Sequence, residues 1–468
     1  MQEFSEEYQE DKNIHQNIKR YESLKKRGVF SYFDVDDIMD IINFYIDNNK
    51  FNKAHDACQT GLSIHPTSSE LKLKNAQLFI SKGLAEDALL WLNKIKEFNN
   101  WYEYVLTKGV ALTILNKITK AEHYFNKALK LVPANEKEDI ILHIAESLEQ
   151  VNVEEAIKYV KLGVEINNKN KEFYFKLGVY YYKIGYNTES INYYNKCIDI
   201  DPFSADAWFN LGIVLNTEEK YNEAVDAYNY TIALDNTHYD AIFNKANALA
   251  NAEEYIKAID VYNEYLKIFK TNYTAQYYIG ECYIQLKEYD KALNYFDEIL
   301  KNNTNFSEAF YGKAIVYEDT NQPEEAIKNY KKAIKIDTNN SDAWFAIGNL
   351  YIKLDQLKKA INAFNKVINI NKYDIEAWLL NAEVYDKLNK TKKSITLLKD
   401  ALEYLPLTNI ILYSIAGYYF KLNENQSGIH YFKKAYKMDK SNFEIIFEIY
   451  PDAKNIKEIQ QIIKNKDI

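Results

Sequence analysis

Between Ala205 and His238 the apolar positions fall in two runs with different phase. Trp208, Leu211, Gly212 and Leu215 are spaced by three, one and three residues, which places them on one face of a helix. After the polar stretch Asn216–Lys220, Ala224, Tyr228 and Thr231 make a second stripe at steps of four and three. The spacing predicts two amphipathic helices joined by a short turn, an antiparallel hairpin. Gly212 and Ala224 are small, so the two backbones can approach where they cross. One hairpin cannot bury its apolar face alone, and the pattern repeats. Trp208 recurs as Trp344 and Trp378, and Gly212 as Gly178, Gly280 and Gly348, all at whole multiples of 34 residues. Copies of such a unit stack into a solenoid.

Traced along the chain, the period divides it into three parts. Residues 1–34 form an acidic N-terminal segment in which Ile14, Ile18, Tyr21 and Leu24 predict one capping helix, ending near Gly28. The stretch from Val29 to Phe33 is expected to pack on the first hairpin. Residues 35–442 hold about twelve repeats: 35–68, 69–101, 102–135, 136–170, 171–204, 205–238, 239–272, 273–306, 307–340, 341–374, 375–408 and 409–442. The fourth is irregular, because Ala145 and Ala156 are eleven apart where Gly212 and Ala224 are twelve apart. A shortened loop and a lengthened entry are expected there. Pro323 stands where the second helix of its repeat begins, a position that tolerates proline. Residues 443–468 restart the pattern, stop at Pro451, and then place Ile456, Ile459, Ile462 and Ile463 on a helix that caps the open end.

The unit resembles the tetratricopeptide repeat. Counting Ala205 as position 1, Trp208 (4), Leu211 (7), Gly212 (8), Ala224 (20) and Tyr228 (24) match the family pattern. Leu215, Thr231 and Asn236 depart from it. The preceding copy supplies Tyr174, Leu177, Gly178, Tyr181, Tyr194 and Pro202, with Ser190 and Cys197 as small substitutes. The resemblance implies an all-α fold, a right-handed α-solenoid superhelix of about twelve hairpins with N- and C-terminal capping helices. It also implies a non-enzymatic scaffold whose inner wall holds proteins or peptides. The chain also resembles the long single-domain tetratricopeptide proteins of Bacteroidota, through the segment Phe30–Asp37.

Composition narrows the partners. A net charge of −9 disfavours nucleic acid and anionic membrane surfaces. Arg20 and Arg27 are the only arginines, so the repeats cannot clamp phosphate or guanine in the bidentate way. No run approaches the roughly 20 apolar residues needed to cross a bilayer, and the acidic N-terminus reads as no secretory signal. The chain is expected to be cytoplasmic. Cys58, Cys197 and Cys282 are too scattered for a disulfide framework. His55, Cys58 and His65 offer no fourth metal ligand, and no phosphate loop or hydrolase motif occurs. No cofactor, metal or catalytic residue is therefore expected.

A core stripe at positions 4, 7, 8 and 11 leaves positions 2, 5, 9 and 12 of each first helix for the inner wall, the ligand groove of the family. Position 5 reads Phe175, Phe209, Phe243, Tyr277, Tyr311, Phe345, Leu379 and Tyr413. Position 2 contributes Asp206, Asp240, Glu308 and Asp342, and Asn247 and Asn349 stand at position 9. Aromatic and acidic ladders side by side suit an extended peptide with apolar and basic side chains. The same residues are also common repeat furniture, since an acid in a first helical turn is favoured by the helix dipole without any ligand. The carboxylate clamp by which some family members grip chaperone C-termini is not expected, because position 5 is aromatic or aliphatic. Two readings follow: a scaffold that binds proteins or extended peptides in the groove, and a regulator whose superhelix changes pitch on binding a peptide.

Overall fold

The computed structural model describes residues 2–27, 32–95 and 101–464, with side chains from residue 14 onward. Gly28 and Val29–Ser31, which include the expected end of the first helix, lie outside the described residues. So do residues 96–100 and 465–468. Among the described residues the chain is all-α, with no strand. It divides into two compact units, Met1–Ala241 and Ile242–Ile468, the boundary falling inside helix Tyr239–Asn251.

The first unit opens with helix Gln2–Arg27, which lays Ile18 and Tyr21 on the first hairpin. Six hairpins follow: Val35–Asp47 with Phe51–Ile64, Ser69–Ser81 with Ala85–Leu92, Tyr102–Ile114 with Ile118–Leu131, Lys137–Leu148 with Val153–Ile166, Lys171–Lys183 with Asn187–Ile200, and Ala205–Thr217 with Tyr221–Leu234. In the second unit helix Tyr255–Ile268 is followed by five hairpins, whose first helices begin at Tyr273, Ser307, Ser341, Ile375 and Asn409. The chain then makes a short helix Ile445–Ile449, a 3-10 turn Pro451–Asn455 and a last helix Lys457–Lys464. Ile459 and Ile462 of that helix are buried with Leu412, Phe432 and Ile446. In each unit, the two helices of a hairpin pack on one another and on the next hairpin, and in the second unit helix Ile445–Ile449 packs back on Asn409–Lys421.

Capping differs between the two helices of a hairpin, for a local reason. First helices are mostly entered through a polar side chain that accepts a helix N–H: Ser68, Asn170, Ser204, Asn272, Asn340 and Asp374 all do so. Second helices follow a tight turn with one residue in the left-handed region, such as Glu219 (φ 59°), Glu253 (φ 62°) or Asn321 (φ 57°), and most start without a side-chain cap. Pro323 is the first residue of its helix. Tryptophan at position 4 pins the preceding loop, Trp208 Nε1 donating to Pro202 O at 3.0 Å, Trp344 to Thr338 O at 3.1 Å and Trp378 to Lys372 O at 3.0 Å.

The core is wider than a single stripe. Position 3, read as Phe173, Ala207, Ala241, Ala275, Ala309, Ala343, Ala377 and Ile411, is fully buried throughout, and position 10 is buried as well. Position 4 is half-buried at Trp208 and Trp344, and position 11 at Tyr181, Tyr283 and Tyr317. The expected stripe at 4, 7, 8 and 11 is thus one edge of a broader buried arc, because each first helix meets its own partner and a neighbouring repeat. The glycines at position 8 also serve a purpose other than close backbone approach. A Cβ on Gly178 would lie 2.7 Å from the Tyr194 ring, one on Gly212 2.6 Å from Tyr228, and one on Gly280 2.4 Å from Phe296. The missing side chain makes room for an aromatic ring sixteen residues later.

Candidate peptide groove

Each position-5 ring has a partner inside its own repeat, nineteen residues on. Ring centroids lie 5.8 Å apart for Phe175 and Tyr194, and 6.0 Å for Phe209 and Tyr228, both in the first unit. In the second unit they lie 5.8 Å apart for Phe243 and Tyr262, 5.7 Å for Tyr277 and Phe296, 5.8 Å for Tyr311 and Tyr330, 5.7 Å for Phe345 and Phe364, and 5.6 Å for Tyr413 and Phe432. One side of every rung is therefore engaged in aromatic packing. What the other side meets decides whether a ligand can reach it.

Four rungs diverge on that point. Phe209 is half-buried and has His238 against it, 4.3 Å between centroids. Phe243 is surrounded by Tyr262, Tyr265 and Tyr278. Tyr277 is buried, its hydroxyl donating to Glu281 Oε1 at 2.6 Å. Tyr413 is wholly buried beneath the C-terminal helices, its hydroxyl donating to Asp439 O at 2.8 Å. Neither Tyr277 nor Tyr413 offers a ring face to a ligand, so both leave the expected ladder. The cause at Tyr413 is chain thirty residues away, which no local spacing reveals. Phe175 is half-buried and, among the described residues, has no further ring on it beyond Tyr194.

Tyr311, Asp342, Phe345 and Asn349 come together. With Glu318, Ala346, Ile352, Lys353, Leu380 and Glu383 they line a cavity of about 490 Å³ within the second unit. Tyr311, Glu318, Asp342, Phe345, Asn349, Ile352 and Glu383 stand at positions 5, 12, 2, 5, 9, 12 and 9 of their repeats, the face the sequence assigned to the inner wall. Glu318 and Glu383 were not singled out in advance, although their positions could have found them. Glu318 accepts from Lys353 Nζ at 2.7 Å and from the Tyr330 hydroxyl at 3.1 Å. Burial, with Asp342, Glu281 and Glu318 nearby, pushes the Tyr311 phenol above its ordinary range, so it stays a neutral hydrogen-bonding group at physiological pH. Glu281, half-buried beside Tyr277, has its carboxyl raised by desolvation, and the Tyr277 hydrogen bond only partly offsets this.

The remaining candidates are dispersed. Asp206, Asp240 and Glu308 are exposed in the first turns of their helices. Asn247 accepts from the Tyr262 hydroxyl and so supports the core. His55, Cys58 and His65 go to separate tasks: the His55 ring packs on Phe79 at 5.3 Å, the Cys58 thiol lies 3.5 Å from Leu71 O, and His65 Nε2 is 2.8 Å from Phe33 O. Burial pushes the Cys58 thiol up to about 12, which keeps it protonated and unreactive. Among the described residues no group of three or more His, Cys, Asp or Glu could hold a metal ion. No described helix is long and apolar enough to cross a membrane.

Comparison with known proteins bears on the repeats themselves. The tetratricopeptide repeat family matches at residues 102–135, 171–204, 341–374 and 411–442, and further repeat descriptions of the same kind match 193–226 and 314–355. Residues 217–299 match the family described as subunit 3 of the anaphase-promoting complex, or cyclosome. No curated protein matches the chain. Among solved structures, yeast Tom70 is similar at 15% identity, covering 86% of this chain and 98% of its own, with a TM-score of 0.41. A tetratricopeptide repeat protein from Parabacteroides merdae is similar at 15% identity over 52% of this chain and 95% of its own, TM-score 0.38. YrrB, described as a tetratricopeptide protein with an unusual peptide-binding site, is similar at 20% identity over 40% of this chain and 96% of its own, TM-score 0.33. Likeness at that level says nothing of partners. The repeat matches along the sequence and the consecutive helical hairpins place the chain in the tetratricopeptide repeat family, as a protein-interaction scaffold.

Proposed function

We propose that this scaffold binds an extended peptide segment of a partner protein along the face formed by positions 2, 5, 9 and 12, with its firmest hold in the second unit. The observation that carries this reading is the cavity at Tyr311 and Phe345. There two half-buried rings, an amide and several carboxylates converge on an open volume of about 490 Å³, the mixture of apolar wall and few polar groups that binding pockets use. Asn349 has the donor and acceptor to pair with a peptide backbone. The fold is typically a non-enzymatic one, and the reading needs no reaction.

Asp342 and Asn349 can be replaced without opening the core, since Asp342 is exposed and Asn349 half-buried. Partners captured by cross-linking in the native cell should be lost from an Asp342→Lys, Asn349→Lys double variant. They should be retained by Glu324→Lys, an exposed change on a second helix. Equal recovery from all three proteins, each confirmed folded by circular dichroism, would sink the groove reading.

A second reading, a peptide-responsive regulator, is favoured by the fourth hairpin, Lys137–Leu148 with Val153–Ile166. Its connection at 149–152 has no residue in the left-handed region, unlike the turns around it. A binding-linked change in pitch would alter protease cleavage within 149–152 when peptide is added. An unchanged digestion pattern at saturating peptide would count against it.

A further inference from the structure

The cavity at Tyr311 and Phe345 carries more specific chemistry than a generic groove. Glu318, Asp342 and Glu383 line it, and among its lining residues Lys353 is the one cation. Lys353 spans from the next repeat to Glu318, with its Nζ 2.7 Å from Oε1 and its side chain 65% exposed. Tyr330 donates to the other Glu318 oxygen at 3.1 Å, holding that carboxylate in place independently of the lysine. Glu383 is paired with Lys387 on its own helix at 2.7 Å, an exposed pair outside the lining. Asp342 forms no ion pair among the described residues. With Glu383 paired to Lys387, Glu318 and Asp342 are the two carboxylates that share the one lining ammonium, and that ammonium sits on a largely exposed side chain whose ion pair contributes little. The rings of Tyr311 and Phe345 add the attraction that aromatic faces have for cations.

We infer that this cavity is a subsite for one lysine or arginine side chain of a bound peptide, and that Lys353 occupies it in the free protein as a tethered competitor. The inference rests on the groove reading above. An incoming ammonium or guanidinium replaces Lys353 at Glu318, gains Asp342, and lies against aromatic and aliphatic walls that lower the local dielectric. Lys353 then swings into solvent, a short movement for an exposed side chain. This arrangement has a consequence of unusual sign: removing a protein side chain next to the ligand strengthens binding.

The test uses the full chain and a displayed library of random heptapeptides. The strongest selected heptapeptide is then labelled and titrated by fluorescence anisotropy, alongside a twin carrying norleucine in place of its basic residue. The expected result is a selected motif with lysine or arginine at one fixed position. Asp342→Asn with Glu318→Gln should weaken the basic peptide about tenfold or more, the scale of a charge-assisted bond, and leave the norleucine twin within about twofold. Lys353→Met should tighten the basic peptide several-fold at low salt and leave the twin unchanged. Selected peptides with no basic position would overturn this inference while the groove reading stands. A library with no peptide enriched over the Asp342→Lys, Asn349→Lys variant would overturn both. Unchanged or weaker binding to Lys353→Met would remove the competitor role. Matched far-UV melting curves exclude misfolding as the cause.

Discussion

Two hairpins of the first unit, Lys137–Leu148 with Val153–Ile166 and Ala205–Thr217 with Tyr221–Leu234, solve one packing problem in opposite ways. In the later hairpin the ring of Tyr228 sits over Gly212, within the same repeat. In the earlier one the corresponding positions are Val160 and Ala145, both small and both fully buried. Its ring comes from outside. Phe173, at position 3 of the next repeat, lies over Gly163, where a Cβ would be 2.4 Å from the ring. Positions 3 of the following repeats are alanines from Ala207 to Ala377, so Phe173 and Gly163 form a compensating pair. In both hairpins a ring covers a glycine, and its donor changes from the same repeat to the next.

The largest expected effect tests that exchange. Phe173→Ala restores the alanine found from Ala207 to Ala377 in the repeats that follow, so a consensus argument expects a gain. The packing expects a loss of about 3–5 kcal/mol, the range for emptying a buried phenylalanine site, similar to that from Tyr228→Ala in the later hairpin. Thermal or denaturant unfolding of both variants would decide. A neutral or stabilised Phe173→Ala would break the comparison.

Next in size are the glycines. Gly212→Ala and Gly163→Ala each force a methyl against a ring, and overpacking of this kind costs about 1–3 kcal/mol. The comparison lies in which second change rescues each. Tyr228→Leu should relieve Gly212→Ala from within the repeat, whereas Phe173→Leu should relieve Gly163→Ala from the following one. Double-mutant cycles measure this as a coupling energy, expected in the range of about 0.5–3 kcal/mol for contacting residues. Coupling of Gly163 to Val160 in place of Phe173 would refute the exchange.

Some of this was legible in the sequence and some was not, for physical reasons. Helical hairpins follow from three-and-four spacing, which is local, and the all-α architecture could be read directly. The small residue at position 8 was visible, but its purpose was not, because the ring it accommodates is sixteen residues away and only folding brings them together. Fully buried position 3 went unread for the opposite reason: a column of alanines looks like helix propensity as much as packing. For the fourth hairpin a shortened loop was expected. The connection at 149–152 is in fact longer than Glu218–Lys220, and the spacing shortens because the first helix ends at Leu148, three residues past Ala145, where the later one runs on to Thr217, five past Gly212. A spacing between two alanines counts residues without saying which are helical. Of the groove, Tyr311, Asp342, Phe345 and Asn349 meet as a group, while Tyr413 is lost to burial set by distant chain and Tyr277 is packed among Phe296 and Phe306 of its own repeat.

The turns give a smaller contrast. In the fourth hairpin the Asn152 side chain accepts from Glu155 N at 3.0 Å and caps the second helix. In the later hairpin Lys220 holds that place without a side-chain bond. Asn152→Ala should cost about 1 kcal/mol, and Lys220→Ala should cost much less. Hydrogen exchange at the first amides of the two second helices would report each locally, with faster exchange expected at 153–156 alone.

The smallest expected effect reverses sign between the hairpins. Glu219 sits in the left-handed region at φ 59°, where a side chain is disfavoured and glycine is not. Glu219→Gly removes that strain but gives the unfolded chain more freedom, which offsets part of the gain. The net should be a stabilisation of about 0.5–1 kcal/mol, on the scale of a left-handed penalty of roughly 1–2 kcal/mol. At Gln150 the backbone is not left-handed, so Gln150→Gly relieves nothing and pays only in unfolded-state entropy, about 0.5–1 kcal/mol of destabilisation. Opposite shifts in local hydrogen exchange, slower around residues 219–224 and faster around 150–155, would show that the two turns are different solutions. Shifts of the same sign would mean that the difference in backbone conformation carries no energetic weight, and that the fourth hairpin departs from its neighbours in packing alone.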